Sequence, residues 1–197
     1  MATSLLNTNA PLATAHLPKE GVKRWAALLM LALAGSIVLW VSAKTSVPFY
    51  PVPMTLQTLV ILVIAAAYGF RLGLATIALY LLEGALGLPV FSSTPERGIG
   101  FAYMMGPTAG YLLGFVVATG LVGWFAERGA DNSPLKLFVV MAAAAASILG
   151  LGFAYLASII GAEAAWSVGV LPFLLGDAVK VAIAALLVPA AGRFLRR

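Results

Sequence analysis

Six apolar runs dominate this 197-residue chain, at Trp25–Ala43, Thr55–Phe70, Leu72–Leu88, Pro107–Ala126, Leu135–Ile160 and Val170–Ala191. About 20 apolar residues in a helix cross a bilayer, and the helix is required because no water reaches the hydrocarbon to satisfy backbone N–H and C=O groups. The runs therefore predict an all-α integral membrane protein, a bundle of six transmembrane helices. The second and third runs are short and meet at Tyr68-Gly69-Phe70-Arg71. An arginine between two apolar runs favours a helical hairpin there, with one long kinked helix as the alternative.

The remaining composition narrows the function classes. Only 10% of the residues are charged, against about a quarter in soluble domains. One compact bundle uses nearly the whole length, so a nucleotide-hydrolysing domain has no room, and no Gly-x-x-x-x-Gly-Lys-Ser/Thr phosphate loop occurs. There is no cysteine, and the single histidine, His16, lies in the polar segment before the first run. Thiolate chemistry and histidine-centred catalysis are thereby excluded from the spans, and the reading is of a non-enzyme without a cofactor. The first 18 residues or so, including Asn7, Thr8, Asn9, Pro11 and Pro18, show no period and read as a mobile tail. The first apolar run follows Lys19, Lys23 and Arg24 and lacks the pattern of a cleaved leader, so it is expected to be retained. The division is a cytoplasmic tail at residues 1–24 and one transmembrane domain at 25–197.

Basic residues orient the bundle, because Lys and Arg collect in cytoplasmic loops. With both termini cytoplasmic, nine of the 12 fall inside: Lys19, Lys23, Arg24, Arg71, Arg128, Lys136, Arg193, Arg196 and Arg197. Lys44 and Arg97 fall outside, and Lys180 lies within a span. The charge is spread over the ends of apolar runs, which speaks for topology and against a nucleic-acid partner. The localisation that follows is multi-pass, in the cytoplasmic (inner) membrane. Outward loops are then 44–54, stiffened by Pro48, Pro51 and Pro53, 89–106, rich in aromatic and hydrogen-bonding groups, and 161–170.

Polar groups inside the spans carry the functional signal. A central ionisable residue costs roughly 2.5–3.5 kcal/mol on insertion, and such residues usually face a bundle interior or a wet cavity. Asp177 and Lys180, three apart on the last helix, share a face. At about 1.5 Å per residue they lie roughly 9 and 13 Å below Leu171, and Glu83 lies about 7 Å below Leu88. Tyr80 sits one turn deeper than Glu83, and Gln57 opens the second helix from the same outer side. These residues converge beneath the outer loops. Two roles stay open for the charged pair, a ligand site and an internal salt bridge that locks helices together. For Glu83 the alternative is a protonated carboxyl hydrogen-bonded to a neighbouring helix. Gly106, Gly110 and Gly114 recur at four-residue spacing; Gly110 and Gly114 read as helix packing. Gly106-Pro107-Thr108 reads as an outward helix start with proline at its first position, a place for a ligand carboxylate.

Four segments together resemble the BioY family, covering about residues 24–195: Pro51-Val52-Pro53-Met54-Thr55-Leu56-Gln57-Thr58-Leu59, Leu79 to Phe91 around Tyr80 and Glu83-Gly84, Met105 to Phe115 around Gly106-Pro107-Thr108, and Pro172 to Lys180 around Gly176-Asp177. The resemblance implies a substrate-binding S component of an energy-coupling factor (ECF) transporter, six-helical, capturing biotin near its outer face. An ECF transmembrane coupling subunit and ATPase subunits would supply energy; a homo-oligomer is the alternative where these are absent, with membrane lipid around the bundle. It implies a biotin site that includes Asp177 and Lys180, with Gln57, Tyr80, Glu83, Phe91, Arg97, Tyr103, Gly106 and Thr108 as further candidates. The family's Ala-x-x-x-Ala contact with the coupling subunit has Ala32-x-x-x-Ser36 as its nearest equivalent here. A self-sufficient secondary carrier of a small vitamin-like anion is the competing class, with Glu83 or Asp177 as a proton site.

Overall fold

A computed structural model describes residues 11–15, 17–18, 20–47 and 50–195. Residues 1–10, with Asn7, Thr8 and Asn9, as well as His16, Lys19, Pro48, Arg196 and Arg197, lie outside the described residues. The fold is a helical bundle in which, among the described residues, five helices are long and apolar enough to cross a membrane. They are α1 (Val22–Lys44), α2 (Gln57–Ala85), α4 (Ala109–Ala126), α5 (Pro134–Ile160) and α7 (Leu171–Leu195). Two short helices, α3 (Gly100–Met104) and α6 (Ala162–Gly169), occupy connections that sequence pattern reads as loops. A two-stranded antiparallel ribbon, β1 (Ser46–Val47) with β2 (Met54–Thr55), pairs Ser46 with Thr55 and Val47 with Met54. Among the described residues this ribbon is the only strand pairing, and the other regular elements are helical.

The helix α2 is a hairpin rather than a rod. Gly69 takes φ 75° and ψ −171°, outside helical space, a conformation that glycine adopts without Cβ strain. A methyl group built on Gly73 would lie 3.6 Å from the Cα of Ala65, whereas eight residues of continuous helix would separate these positions by about 12 Å. Glu127, just beyond α4, fastens the turn by accepting the Phe70 N–H at 2.9 Å. The two arms pack side by side, with Gly69 and Phe70 against Gly123 of α4.

Close backbone approach sets the rest of the packing. A Cβ on Gly110 would meet the Leu151 carbonyl oxygen at 2.3 Å, and one on Gly114 would meet the Ile148 Cα at 2.6 Å. These glycines let α4 lie directly against α5, as the small-residue spacing predicts. On α1, Gly35 faces Thr76 and Tyr68 of α2, and the Tyr68 hydroxyl donates to the Leu31 carbonyl at 3.0 Å. Ala32 and Ser36, expected to meet a partner subunit, are buried inside this chain, Ser36 at 1% exposure. Spacing marks the stripe as a close helix contact but does not say with which helix, and here the neighbour is α2.

One pole gathers the start of α1, the Gly69 turn, the α4–α5 connection and the end of α7. Pro11 lies against Gly69, and Leu12 is buried against Gly192. The mobile-tail reading therefore does not hold for this short stretch, a 3-10 turn at Leu12–Thr14 in which Pro11 fills the space beside Gly69 and Leu12 that beside Gly192. The opposite pole carries the ribbon, α3 and α6, and beneath them lies the candidate site.

Candidate functional site

Two helices supply the floor and one wall of a cavity beneath the ribbon. Asp177 and Lys180 of α7 are 5% and 8% exposed, and Lys180 Nζ donates to Asp177 Oδ1 at 2.9 Å. Their three-residue spacing brings both onto the face of α7 that lines the cavity. Phe173, one turn toward the outer pole, lies on the same wall. Its ring is 6.4 Å from that of Tyr111, whose hydroxyl donates to the Gly169 carbonyl at 2.6 Å. Tyr111 on α4 thereby ties the end of α6, just before α7, across the bundle. Leu112 and Phe115 of α4 with Ile148 and Leu149 of α5 complete the apolar side. The cavity is narrow, about 50 Å³, well below the roughly 300–1,000 Å³ typical of small-molecule sites.

The opposite wall is a relay from the second helix to the loop. Gln57 Nε2 donates to the Tyr80 hydroxyl at 2.9 Å, and that hydroxyl donates to the Val90 carbonyl at 2.9 Å. The contact spans the two arms of the hairpin. It positions Phe91, which stacks on Tyr103 at 4.9 Å between centroids and meets Tyr80 edge-on at 5.4 Å. The tip of the Phe91 ring lies against Gly84, where a Cβ would come within 2.0 Å of its Cζ. Lys44 then clamps the loop: its ammonium donates to the Phe91 carbonyl, the Thr94 carbonyl and Thr94 Oγ1 at 3.0, 2.7 and 2.9 Å. A roomier crevice of about 250 Å³, bordered by Tyr50, Pro51, Arg97, Gly106 and Pro107, adjoins this cavity and shares Tyr103 and Thr108 with it. Burial pushes the Tyr103 phenol above its ordinary pKa, so it stays a neutral hydrogen-bonding group.

Six of the residues singled out from sequence line the cavity: Gln57, Phe91, Tyr103, Thr108, Asp177 and Lys180. Arg97 and Gly106 border the outer crevice. Arg97 donates to the Pro51 carbonyl at 2.5 Å, and its guanidinium lies 5.2 Å from the centre of the Tyr50 ring. Tyr80 sits behind the wall and supports it. Glu83 does not reach the cavity; it accepts a hydrogen bond from Ser36 on α1. A second expectation changes at α4, which starts at Ala109 and not at Pro107. Pro107 and Thr108 instead form the centre of a turn closed by the Ala109 N–H on the Gly106 carbonyl at 3.0 Å, with proline in its favoured second place. The Leu112 N–H is taken by the Thr108 carbonyl, which leaves those of Gly110 and Tyr111 as the first-turn donors.

The family model described as "BioY family" matches residues 13–197. The chain belongs to the BioY family. Relatives in that family include a "Probable biotin transporter BioY" of Pyrococcus horikoshii, 35% identical over 147 residues, which make up 75% of this chain and 85% of that protein. A "Biotin transporter BioY" of Thermotoga maritima is 34% identical over 75% of this chain and 85% of its own. That of Rhizobium etli is 32% identical over 81% and 89%. The crystal structure of an S-component for biotin from an ECF-type ABC transporter superposes with a TM-score of 0.76, covering 90% of this chain and 95% of that one. At 18% identity the superposition shows a shared fold. Family membership and the apolar helices make this a multi-pass membrane protein of a transporter family.

Proposed function

We propose that this BioY-family chain captures biotin at the pole bearing the ribbon and passes it inward across the cytoplasmic membrane as the substrate-specificity subunit of an ECF-type transporter. The observation that carries the reading is the buried Asp177–Lys180 pair on the wall of an otherwise apolar and aromatic cavity. Biotin is an apolar bicycle with a ureido group that offers N–H donors and a carbonyl acceptor. A carboxylate and an ammonium side by side complement that group, and aromatic and aliphatic walls suit the rings. Gln57, Phe91, Tyr103 and Thr108 are the further contacts, with the valerate carboxylate near Thr108 and the first-turn N–H groups of α4. The relatives named as biotin transporters support the substrate. Energy comes from a coupling subunit and ATPase subunits, since this chain has no phosphate loop.

Each arm of α2 crosses the membrane in this reading, which gives six spans with both termini cytoplasmic. Support comes from Arg24, Arg71, Arg128, Lys136 and Arg193, which cluster at the pole opposite the cavity. The chain lacks cysteine, so a single introduced thiol reports its own side of the membrane. Glu96→Cys, on the exposed outer loop, is expected to react with an impermeant maleimide in intact cells, and Arg128→Cys only after the cells are opened. The reverse pattern overturns the orientation. Biotin uptake by cells is expected to need co-expressed coupling and ATPase subunits; proton-driven uptake by the chain alone in liposomes would assign it to the self-sufficient carriers.

A further inference from the structure

Among the described residues, two buried side-chain polar atoms lack a hydrogen-bond partner, Ser92 Oγ and Thr119 Oγ1. Thr119 packs against Gly73 within a helix contact, whereas Ser92, 4% exposed, lines the cavity. A buried hydroxyl without a partner is unfavourable and uncommon in folded proteins. It persists here because the backbone around it is held from several sides. Lys44 Nζ bonds the carbonyls of Phe91 and Thr94. Thr94 Oγ1 donates to the Phe91 carbonyl at 2.7 Å, and the Arg97 N–H donates to the Ser93 carbonyl at 2.9 Å. Ser93 itself takes φ 55°, so the turn is fixed by these contacts rather than by local preference.

We propose that the Ser92 hydroxyl is a ligand-recognition group, held in advance by the Lys44 clamp to hydrogen-bond biotin in the cavity. This rests on the proposed function. A hydroxyl can donate or accept, which neither member of the charged pair can do alone. Because its frame is rigid, the bond forms without ordering the loop, and its loss is not made good by rearrangement.

The test uses the full-length protein in detergent, with biotin affinity from calorimetry and thermal unfolding measured without biotin. Ser92→Ala is expected to bind biotin about tenfold more weakly, the scale of one hydrogen bond. Its ligand-free unfolding midpoint should equal or exceed that of the parent, because no internal bond is removed. Ser92→Cys, which restores bulk but is a weak donor, is expected to bind several-fold more weakly than the parent. Affinity within twofold of the parent in Ser92→Ala overturns the inference. So does a fall in the ligand-free midpoint together with affinity, which would make the hydroxyl structural. Parental affinity in Ser92→Cys alone would show that volume matters and the hydrogen bond does not. A parent that fails to bind biotin overturns the functional reading and this inference together, whereas a binding parent with an indifferent Ser92→Ala overturns the inference alone.

Discussion

Asp177→Asn and Lys180→Met are each expected to lower biotin affinity at least a hundredfold. Both side chains are buried, they bond to each other at 2.9 Å, and they stand on the cavity wall. Removing one member of a buried charged pair typically costs about 3–5 kcal/mol, and each factor of ten in affinity is about 1.4 kcal/mol. The two roles open from sequence separate in the double variant. If the pair recognises the ureido group, Asp177→Asn/Lys180→Met restores stability, since no charge is left unpaired, but binding stays lost. If the pair only locks the fold, the double variant regains stability and affinity alike. Thermal unfolding and calorimetry on both singles and the double decide between them.

Gly84→Val is expected to weaken biotin binding by tenfold or more, although residue 84 touches no ligand in this account. The Phe91 ring tip packs against Gly84, and a Cβ there would sit 2.0–2.8 Å from three ring carbons. Phe91 is 1% exposed and wedged between Tyr80 and Tyr103, so it has nowhere to retreat except into the cavity or out of the loop. Overpacking of this kind costs about 1–3 kcal/mol, and here the displacement falls on a cavity wall. Glu83→Gln is the matched control. It keeps the hydrogen-bonding capacity toward Ser36 and lies outside the cavity, so affinity within about threefold of the parent is expected. A Glu83→Gln loss as large as that of Gly84→Val would contradict the placement of Glu83.

The contrast between these neighbours shows how far the sequence could be read. Hydropathy located the helices, and Arg71 between two short runs pointed to the hairpin that Gly69 makes. Polarity inside an apolar run found Asp177, Lys180 and Gln57, because a charge or amide in a bilayer span demands a partner. It did not resolve direction on the helix. Tyr80 and Glu83 are three residues apart, about 60° around the helix, and that angle sends one toward the loop relay and the other toward α1. The aromatic and aliphatic lining from Tyr111, Phe115, Ile148, Leu149 and Phe173 carried no signal, since apolar residues in apolar spans look alike whether they face lipid, core or cavity. Lys44 counted in sequence only as an outward charge, and its clamp on residues 91 and 94 depends on contacts 47 and 50 positions away. The start of α4 was misplaced because proline favours both the first helical position and the second place of a turn. The competing turn, closed by Gly106, wins here.

The central claim is that the cavity beneath the ribbon takes biotin, and calorimetric titration of the detergent-purified chain with biotin, desthiobiotin and thiamine tests it most directly. The account predicts saturable one-site binding of biotin, weaker binding of desthiobiotin, which keeps the ureido and carboxylate groups but lacks the sulfur ring, and no binding of thiamine. A folded protein that gives no binding with biotin, or that binds thiamine as tightly, would contradict it.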